Sequence, residues 1–304
     1  MSDNPLVSIV IPTYNDADVL PRALSSVLEQ SYTKTEIIVV DDCSPDNTSK
    51  VVQSFDDERI SYIRHSKNMG GSAARNTGIQ ASSGELIGFL DSDDRWLGSK
   101  LSSQLRELEQ RSDEWGAIYC DSKNMSGGFY GIKLFFNNIL LSYGDAKKEG
   151  GDKVIKQILL NNINGNFGST LLVKKRLVSE LNGFDDSFQR HQDLEFVVRL
   201  LKETKIAFLD EVLVEVNKTY TPNANTQKRA KQKFFKKFDS EFKRLENKGY
   251  NIKGKQHISL AKSFYREGKF KHGNKHLRQS TMPTCIDCLG IFWAIKAGIL
   301  RRIL

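Results

Sequence analysis

Apolar residues in the first third of the chain alternate between short continuous runs and stretches where they recur every third or fourth position. Val7 to Ile11, Glu36 to Val40, Ile60 to Arg64 and Leu86 to Leu90 read as strands. Between them Leu20, Leu24, Val27 and Leu28 keep helical spacing. A second helix is expected from about Asp46 to Phe55, and a third follows a Gly70-Gly71 turn through Ala73 to Ala81. Strand and helix in alternation predict an α/β fold with a doubly wound, mostly parallel sheet and helices on both faces.

Beyond Asp94 the rhythm loosens. A helix near Lys100 to Gln110 precedes a strand at Ala117 to Cys120, and the Gly-rich aromatic stretch Gly127 to Phe136 reads as a hairpin or a loop. Helical spacing returns at Val154 to Leu160 and Leu194 to Leu201, with strands at Thr170 to Val173, Ile206 to Leu209 and Val212 to Val216. Further on, Phe234, Phe235, Phe238, Phe242 and Leu245 line one face of an amphipathic helix between lysines. Ala261, Tyr265, Gly268, Phe270 and Leu277 resemble a helical hairpin of the tetratricopeptide kind.

Charge divides the chain at about the same place. Of 45 basic and 37 acidic residues, residues 226–304 hold 20 and 5, leaving 25 and 32 for residues 1–225. The net +8 is a basic tail outweighing a mildly acidic body. The expected division is therefore 1–220 as the α/β domain and 221–304 as a basic helical region.

The N-terminal residues lack a basic region and an apolar core, and no run of about twenty apolar residues occurs. A cytoplasmic protein is expected. The four cysteines, at 43, 120, 285 and 288, then read as reduced thiols, and the lone Cys285-x-x-Cys288 pair would need His272 or His276 to make a zinc site.

Candidate chemistry lies at the strand ends. Asp41-Asp42-Cys43-Ser44 and Asp91-Ser92-Asp93-Asp94 each follow a buried-strand run directly. Crowded carboxylates repel one another and are costly to desolvate, so two such clusters at the ligand-binding edge of an α/β sheet call for a cation or a polar ligand. One cluster alone would serve as well as a turn or a helix cap. Pro12-Thr13-Tyr14-Asn15 ends the first strand, where a G-x-G-x-x-G dinucleotide fingerprint would otherwise stand.

Four segments, taken in order, carry a resemblance: Ser8 to Asn15, Val39 to Ser44, Asn68 to Asn76 and Phe89 to Asp94. Together they resemble family 2 glycosyltransferases over about the first 215 residues. The resemblance implies a GT-A fold, a nucleotide-diphospho-sugar donor, a divalent metal (manganese or magnesium) and transfer with inversion. It places the nucleotide at Pro12, Thr13, Tyr14 and Asn15. Asp42 would accept a hydrogen bond from the base. An imide N–H on uracil, thymine or guanine could supply that bond, and a UDP-sugar is the favoured donor.

Arg75, opening a helix after two glycines, suits a diphosphate. Asp91 would contact sugar or ribose, Ser92 would join the nucleotide site, and Asp93 would hold the metal. Asp193 is the implied catalytic base, with Gln192 standing where the family usually carries an acid. The bland alternatives are a strand stop at Pro12, a packed Tyr14, a surface ion pair at Arg75, and helix caps at Asp94 and Asp193. No Gln-x-x-Arg-Trp motif follows, so the resemblance points to addition of one sugar, to a glycan or lipid-linked acceptor in cell-surface polysaccharide or glycoprotein glycan synthesis.

Two further roles compete for the tail. The apolar, aromatic and basic segment Ile286 to Leu304 suits either an anionic membrane interface, at the inner face of the plasma membrane, or docking on the tail's own helices. Clustered lysines would also suit nucleic acid, but no recognised motif accompanies them. A sugar-nucleotide binder without catalysis is the remaining alternative.

Overall fold

The structure, a computed structural model, describes residues 4–125, 148–163, 165–217, 223–280 and 285–303. The Gly127 to Phe136 stretch lies outside them. The chain divides into two compact units. The first holds described residues 4–125, 148–155 and 165–217, the second 156–163, 223–280 and 285–303.

The first unit is built on one mixed sheet. Its strands are β1 (Val7–Thr13), β2 (Thr35–Asp41), β3 (Ile60–Arg64), β4 (Leu86–Phe89), β5 (Arg95–Trp96), β6 (Trp115–Asn124), β7 (Leu172–Lys174) and β8 (Lys205–Val216). They stand in the order β3-β2-β1-β4-β7-β6-β8-β5. The first four are parallel neighbours, and β6 pairs parallel with β8. The pairs β4–β7, β6–β7 and β5–β8 are antiparallel.

The helices are α1 (Leu20–Leu28), α2 (Thr48–Gln53), α3 (Gly71–Ala81), α4 (Lys100–Glu109), α5 (Asp152–Leu159), α6 (Phe167–Thr170), α7 (Lys175–Glu180) and α8 (Gln192–Glu203); α5 begins in the first unit and ends in the second.

Both faces of the parallel part are covered, which explains its unbroken apolar strands. Side chains alternate sides along a strand. Val7, Ile9, Ile11, Ile37 and Val39 join one core cluster with Leu20, Leu24 and Val27 of α1 and Leu101, Leu105 and Leu108 of α4. Ile38 and Val40 point the other way and cluster with Ala74 of α3. Each such fully buried aliphatic side chain contributes about 1.5–3 kcal/mol. Close approach of α3 to β1 requires Gly78, where an added Cβ would lie 2.3 Å from Val10 Cγ1.

The strand order sets the position of the site. From β1 the chain steps outward to β2 and β3, then returns through α3 to place β4 on the other side of β1. That reversal opens a crevice at the carboxyl ends of β1 and β4, where ligands bind in folds of this class.

Several local expectations change. Arg95 and Trp96 form a strand rather than the start of a helix, and Asp94 is no helix cap: its carboxylate accepts from Ser169 Oγ at 2.5 Å and Asn217 N at 2.9 Å. The two expected strands 206–209 and 212–216 are one strand, β8, whose pairing with β6 is irregular around Asp121. That irregularity shifts side-chain alternation, so the pattern looks broken where the backbone is continuous.

The second unit is helical, with α9 (Ala224–Lys237), α10 (Asp239–Asn247), α11 (Ile252–Arg266), α12 (Phe270–Arg278) and α13 (Cys285–Ile303). The single amphipathic helix expected through Phe242 is divided at Phe238. Aromatic packing continues across the break, with Phe234 4.8 Å from Phe238 and Phe235 4.6 Å from Phe242.

α11 and α12 form the expected hairpin about Gly268, whose φ of 71° suits glycine. Ile258, Ala261 and Tyr265 of α11 bury Ile291 and Ala294 of α13. Lys255 and Lys262 both pair with Asp287, at 2.7 and 3.0 Å, fastening α13 to α11.

Candidate active site

A cleft of about 280 Å³ opens at the carboxyl ends of β1, β2 and β4. β1 contributes Pro12 and Thr13 with Tyr14 after them, β2 leads into Asp42, and β4 leads into Asp91, Ser92 and Asp93. Gly71, Ala74 and Arg75 of α3 close one side, and Gln192 of α8 reaches the rim. Of the residues to which the resemblance gives a role, Asn15 and Asp193 are not in this lining, and of the two acidic clusters Asp41, Cys43, Ser44 and Asp94 are outside it.

Asn15 shapes the turn instead. It holds φ of 58°, a left-handed conformation that asparagine tolerates, and its N–H donates to Ser44 Oγ at 2.9 Å. Tyr14 is 47% exposed, a ring left free rather than packed.

Asp42 is buried and accepts from Met69 N at 2.7 Å, Gly70 N at 2.6 Å and His65 Nδ1 at 2.8 Å. These bonds tie the loop before α3 to the end of β2. A carboxylate has about four acceptor positions, so one remains, on Oδ2. Its neighbour Asp41 is wholly structural: fully buried, it accepts from Ser44 N at 2.7 Å and from Tyr62 Oη. Burial and then Asp41 push the Tyr62 hydroxyl up to about 12.

Arg75 does pair with an acid, but not at the surface. Its side chain is 7% exposed; Nη2 donates to Asp91 Oδ1 and Nη1 to the Gly71 carbonyl at 3.1 Å. With its amide oxygen facing the guanidinium, Gln192 accepts from Nη1 at 2.8 Å, and its nitrogen donates to the Phe188 carbonyl at 3.2 Å. The Nε–H is buried without a partner among the described residues. An unmet buried donor costs roughly 1–3 kcal/mol, which an anion in the cleft could offset.

Acids accumulate around that arginine. Asp93 is driven up to about 6 by burial, then by the neighbouring charges of Asp91 and Asp16. Burial and Asp91 likewise raise Asp94. Asp16 is a cleft residue the strand-end clusters did not reveal; it follows β1 as the other acids follow β2 and β4, and it accepts from Ser92 Oγ. Arg22, on α1, was also missed. It donates to the Asp93 carbonyl, and its buried Nε has no partner among the described residues.

Asp193 occupies the second position of α8, after His191 as N-cap with φ of 59°. It is therefore not the capping residue. Burial raises its carboxyl, Asp91 adds to the rise and Arg75 opposes it, so all three share one electrostatic neighbourhood.

The approach to α8 is tethered to α3. Asn76 donates to Phe184 O and Asp186 Oδ1 and accepts from Phe184 N, each at 2.8 Å, while Ser72 Oγ donates to Phe188 O at 3.0 Å. Gly183 is required there, because an added Cβ would lie 2.3 Å from Asn76 Oδ1. Arg199 completes the clasp from α8, donating to Leu181 O at 2.8 Å and Gly183 O at 2.7 Å.

The far wall is α6. Gly168 stands so near Asp91 that a Cβ would meet Oδ2 at 2.9 Å, and Ser169 Oγ accepts from Asp91 N at 3.1 Å while donating to Asp94. No periodicity marks this four-residue helix, which explains its absence from the sequence expectation.

Among the described residues no three His, Cys, Asp or Glu side chains gather as a closed metal cage. What the cleft offers is a surplus of hard oxygen donors, Asp16, Asp91 and Asp93, the last raised by burial and then by its acidic neighbours. It fits a magnesium- or manganese-like cation held by one or two carboxylates and completed by a ligand's phosphates. Cys43, Cys120 and Cys288 are free thiols, and none lines the cleft.

Known proteins resemble this chain in sequence and in fold. The profile of glycosyl transferase family 2 matches residues 8–181. An Escherichia coli protein, UDP-Glc:alpha-D-GlcNAc-diphosphoundecaprenol beta-1,3-glucosyltransferase WfgD, is 31% identical over 208 residues, covering 68% of this chain and 74% of that one. TuaG of Bacillus subtilis, named for teichuronic acid biosynthesis, is 42% identical over 110 residues, 36% of this chain and 44% of its own length. This match thus spans less than half of that relative.

Among solved structures, the mannosyltransferase PcManGT of Pyrobaculum calidifontis, in complex with GDP-Man and Mn²⁺, superposes with a TM-score of 0.58 at 18% identity, covering 98% of this chain and 74% of that one. TarS 1-349 of S. aureus with UDP gives 0.56 at 15% identity, covering 98% and 92%. These likenesses establish the GT-A-like fold.

Proposed function

Because the chain belongs to glycosyl transferase family 2 and is a glycosyltransferase, we propose the following division of labour in its cleft. It moves one sugar, with inversion, from a nucleotide-diphospho-sugar to a glycan or lipid-linked acceptor in the synthesis of a cell-surface polysaccharide. The observation that carries this reading is the convergence of Arg75, Asp91 and Asp93 on one cleft, with Asp193 in the same electrostatic neighbourhood.

Tyr14 lies against the nucleobase, and the free Oδ2 position of Asp42 accepts its imide N–H. Arg75 turns its unmet Nε–H and guanidinium charge to the diphosphate, exchanging part of its pairing with Asp91. Asp91 and Ser92 then face ribose or sugar. A divalent cation at Asp93 would supply positive charge opposite the diphosphate, easing departure of the nucleotide. Asp193, its carboxyl raised by burial, takes the proton from the acceptor hydroxyl as that oxygen attacks the anomeric carbon. Gln192 orients Arg75 rather than the acceptor.

The uracil donor is favoured by the names of WfgD and of the TarS complex, the lipid-linked acceptor by that of WfgD, and the polysaccharide setting by that of TuaG. No helix among the described residues is long and apolar enough to cross a membrane. α13 nevertheless leaves Leu289, Phe292, Trp293, Ile299 and Leu300 exposed opposite the face it buries on α11. That second apolar face suits the interface of an anionic membrane, where such an acceptor would reside.

Calorimetry with UDP, GDP and dTDP, with and without manganese, on wild type and Asp93→Ala tests the donor half. Metal-dependent binding of one nucleotide, lost in Asp93→Ala, is expected; absence of binding by all three would overturn the reading.

A further inference from the structure

The second unit contains a cavity of about 360 Å³ that the transfer reaction does not use. α9 lines it with Lys228, Lys231, Gln232 and Phe235, and α11 with Lys253, Gln256, His257 and Leu260. Both sets follow the spacing i, i+3, i+4, i+7, so each helix turns one continuous face inward. α12 adds Lys275, His276 and Gln279. Four lysines and two histidines thus share a cavity that no Asp or Glu lines.

Burial makes this more than a solvated basic face. Lys231 is 8% exposed and His276 7% exposed. The Lys231 ammonium donates to Gln256 Oε1 at 2.6 Å, and Gln256 in turn donates through Nε2 to the Leu159 carbonyl at 2.7 Å, so a neutral amide is held rigidly against the charge. His257 and His276 share a hydrogen bond between their Nδ1 atoms at 3.0 Å, and His276 stacks on Phe264 with centroids 5.3 Å apart. Of the four lysines only Lys253 pairs with a carboxylate among the described residues, Glu246 at 2.8 Å.

A buried ammonium without a counter-charge is expensive, and the fold shows the expense: burial brings Lys231 down to about 8. His276 falls to about 4 through burial, then through His257, Lys228 and Lys275. An anion with several oxygens would satisfy the donors of three helices at once. Donors of this kind, divergent in sequence yet convergent in space, suit a tetrahedral oxyanion better than a single carboxylate.

We propose that this cavity is a phosphate-binding site, taking a phosphate monoester or diphosphate group between α9, α11 and α12. The Lys231 ammonium sits at its base, Lys228 and Lys275 at its rim, and the histidine pair provides a donor on the inner wall. The group could be carried by a lipid headgroup or arrive as free phosphate, and the chemistry of recognition is the same for both. The site is independent of the donor cleft.

Inorganic pyrophosphate is titrated calorimetrically into the full chain as wild type, Arg75→Met, Lys231→Met and Lys228→Ala/Lys275→Ala. The rim pair is partly or fully exposed, so its removal spares the helical packing, which circular dichroism checks. Lys236→Ala/Lys271→Ala, two exposed residues outside the cavity, removes equal charge as a control.

The expected result is binding retained in Arg75→Met and in the control, and weakened at least tenfold, about 1.4 kcal/mol, in both cavity variants. Binding unchanged by the rim pair, or abolished by Arg75→Met alone, would overturn the proposal. Sedimentation with phosphatidylcholine vesicles, with and without phosphatidic acid, separates the sources. Loss of phosphatidic acid binding in the rim pair but not the control supports a lipid headgroup; no phosphatidic acid dependence beside intact pyrophosphate binding supports free phosphate.

Discussion

The two units present opposite electrostatic problems. In the sheet unit, Asp16, Asp91 and Asp93 crowd one cleft, and burial with mutual repulsion pushes Asp93 up to about 6. In the helical unit, lysines and histidines crowd a cavity that no acid lines, and burial pulls Lys231 and His276 down. Other charges are paired: Arg199 with Glu195, Arg59 with Asp57, Lys255 and Lys262 with Asp287. Lys100 is also buried without a carboxylate, but it stands alone, met by Gln104 Oε1 at 2.8 Å and by the Trp96 ring 3.8 Å away. The two clusters differ in gathering several like charges around one open cavity, the charge that the proposed ligands would offset.

The largest expected effect falls on chemistry alone. Asp193→Asn should reduce sugar transfer on the order of a thousandfold, within the range for loss of a general base. Nucleotide binding in the cleft and pyrophosphate binding in the helical unit should both persist, as calorimetry would show. Full transfer activity in this variant would remove Asp193 from the mechanism.

Asp93→Asn sharpens the contrast between fit for a ligand and fit for the fold. Metal-dependent nucleotide binding should weaken on the order of 100-fold. Thermal stability without metal at pH 7 should instead rise by roughly 2–4 °C, because one of the crowded like charges is gone. A carboxyl whose folded pKa is raised keeps its proton where the unfolded chain has lost it. Its contribution is therefore favourable at low pH and lost as pH climbs from the ordinary carboxylate value to about 6. A fall in melting temperature for Asp93→Asn would argue that Asp93 holds the fold together rather than awaiting a cation.

The smallest effect has the reverse sign of pH dependence. The folded-state pKa of His276 is depressed to about 4, so the unfolded chain takes up a proton between the ordinary histidine value and 4 that the folded unit refuses. Stability from this residue is complete above about 6.5 and is lost as pH falls through that window. His276→Leu should flatten the acid limb of a stability profile measured by urea unfolding from pH 7 to 4. An unchanged limb would leave His257 or other groups as its cause.

Much of the sheet unit was legible beforehand because its signals are local. Strands buried on both faces must be continuously apolar, and helices between them must carry one apolar stripe, so β1 to β4 and α1 to α4 follow from periodicity. Elements whose reason is tertiary were not legible. β5 has two residues and exists because β8 is there to pair with it. Asp94 looks like a cap in sequence, yet its partners Ser169 and Asn217 come from residues far along the chain. The break at Phe238 is invisible to a helical wheel, since aromatic contacts carry on across it.

The cleft divides in the same way. Asp42, Arg75, Asp91 and Asp93 stood out as acids and a base at the ends of predicted elements. Asp16 did not, although it too follows a strand, because it stands outside both acidic clusters; Arg22 and Gly168, which support Asp93 and Asp91 from behind, have nothing in their immediate neighbours to distinguish them. Gln192 was noticed only as a departure from an acid; its contact with Arg75 gives that departure a purpose. The basic cavity was foreseen only as excess charge in residues 226–304. Which lysines converge depends on the relative rotation of α9, α11 and α12.

The sequence by itself determined that strands and helices alternate, that acids cluster where strands end, and that basic charge collects in the last quarter of the chain, because each is written in residues close together. Tertiary structure alone decided that α3 crosses back to open a crevice beside β1, that Asn76 and Ser72 bring the start of α8 to Arg75, and that Lys231, among the many lysines of the helical unit, is buried. Those outcomes depend on packing between distant segments, where burial and distance rather than order along the chain set the strength of every charge.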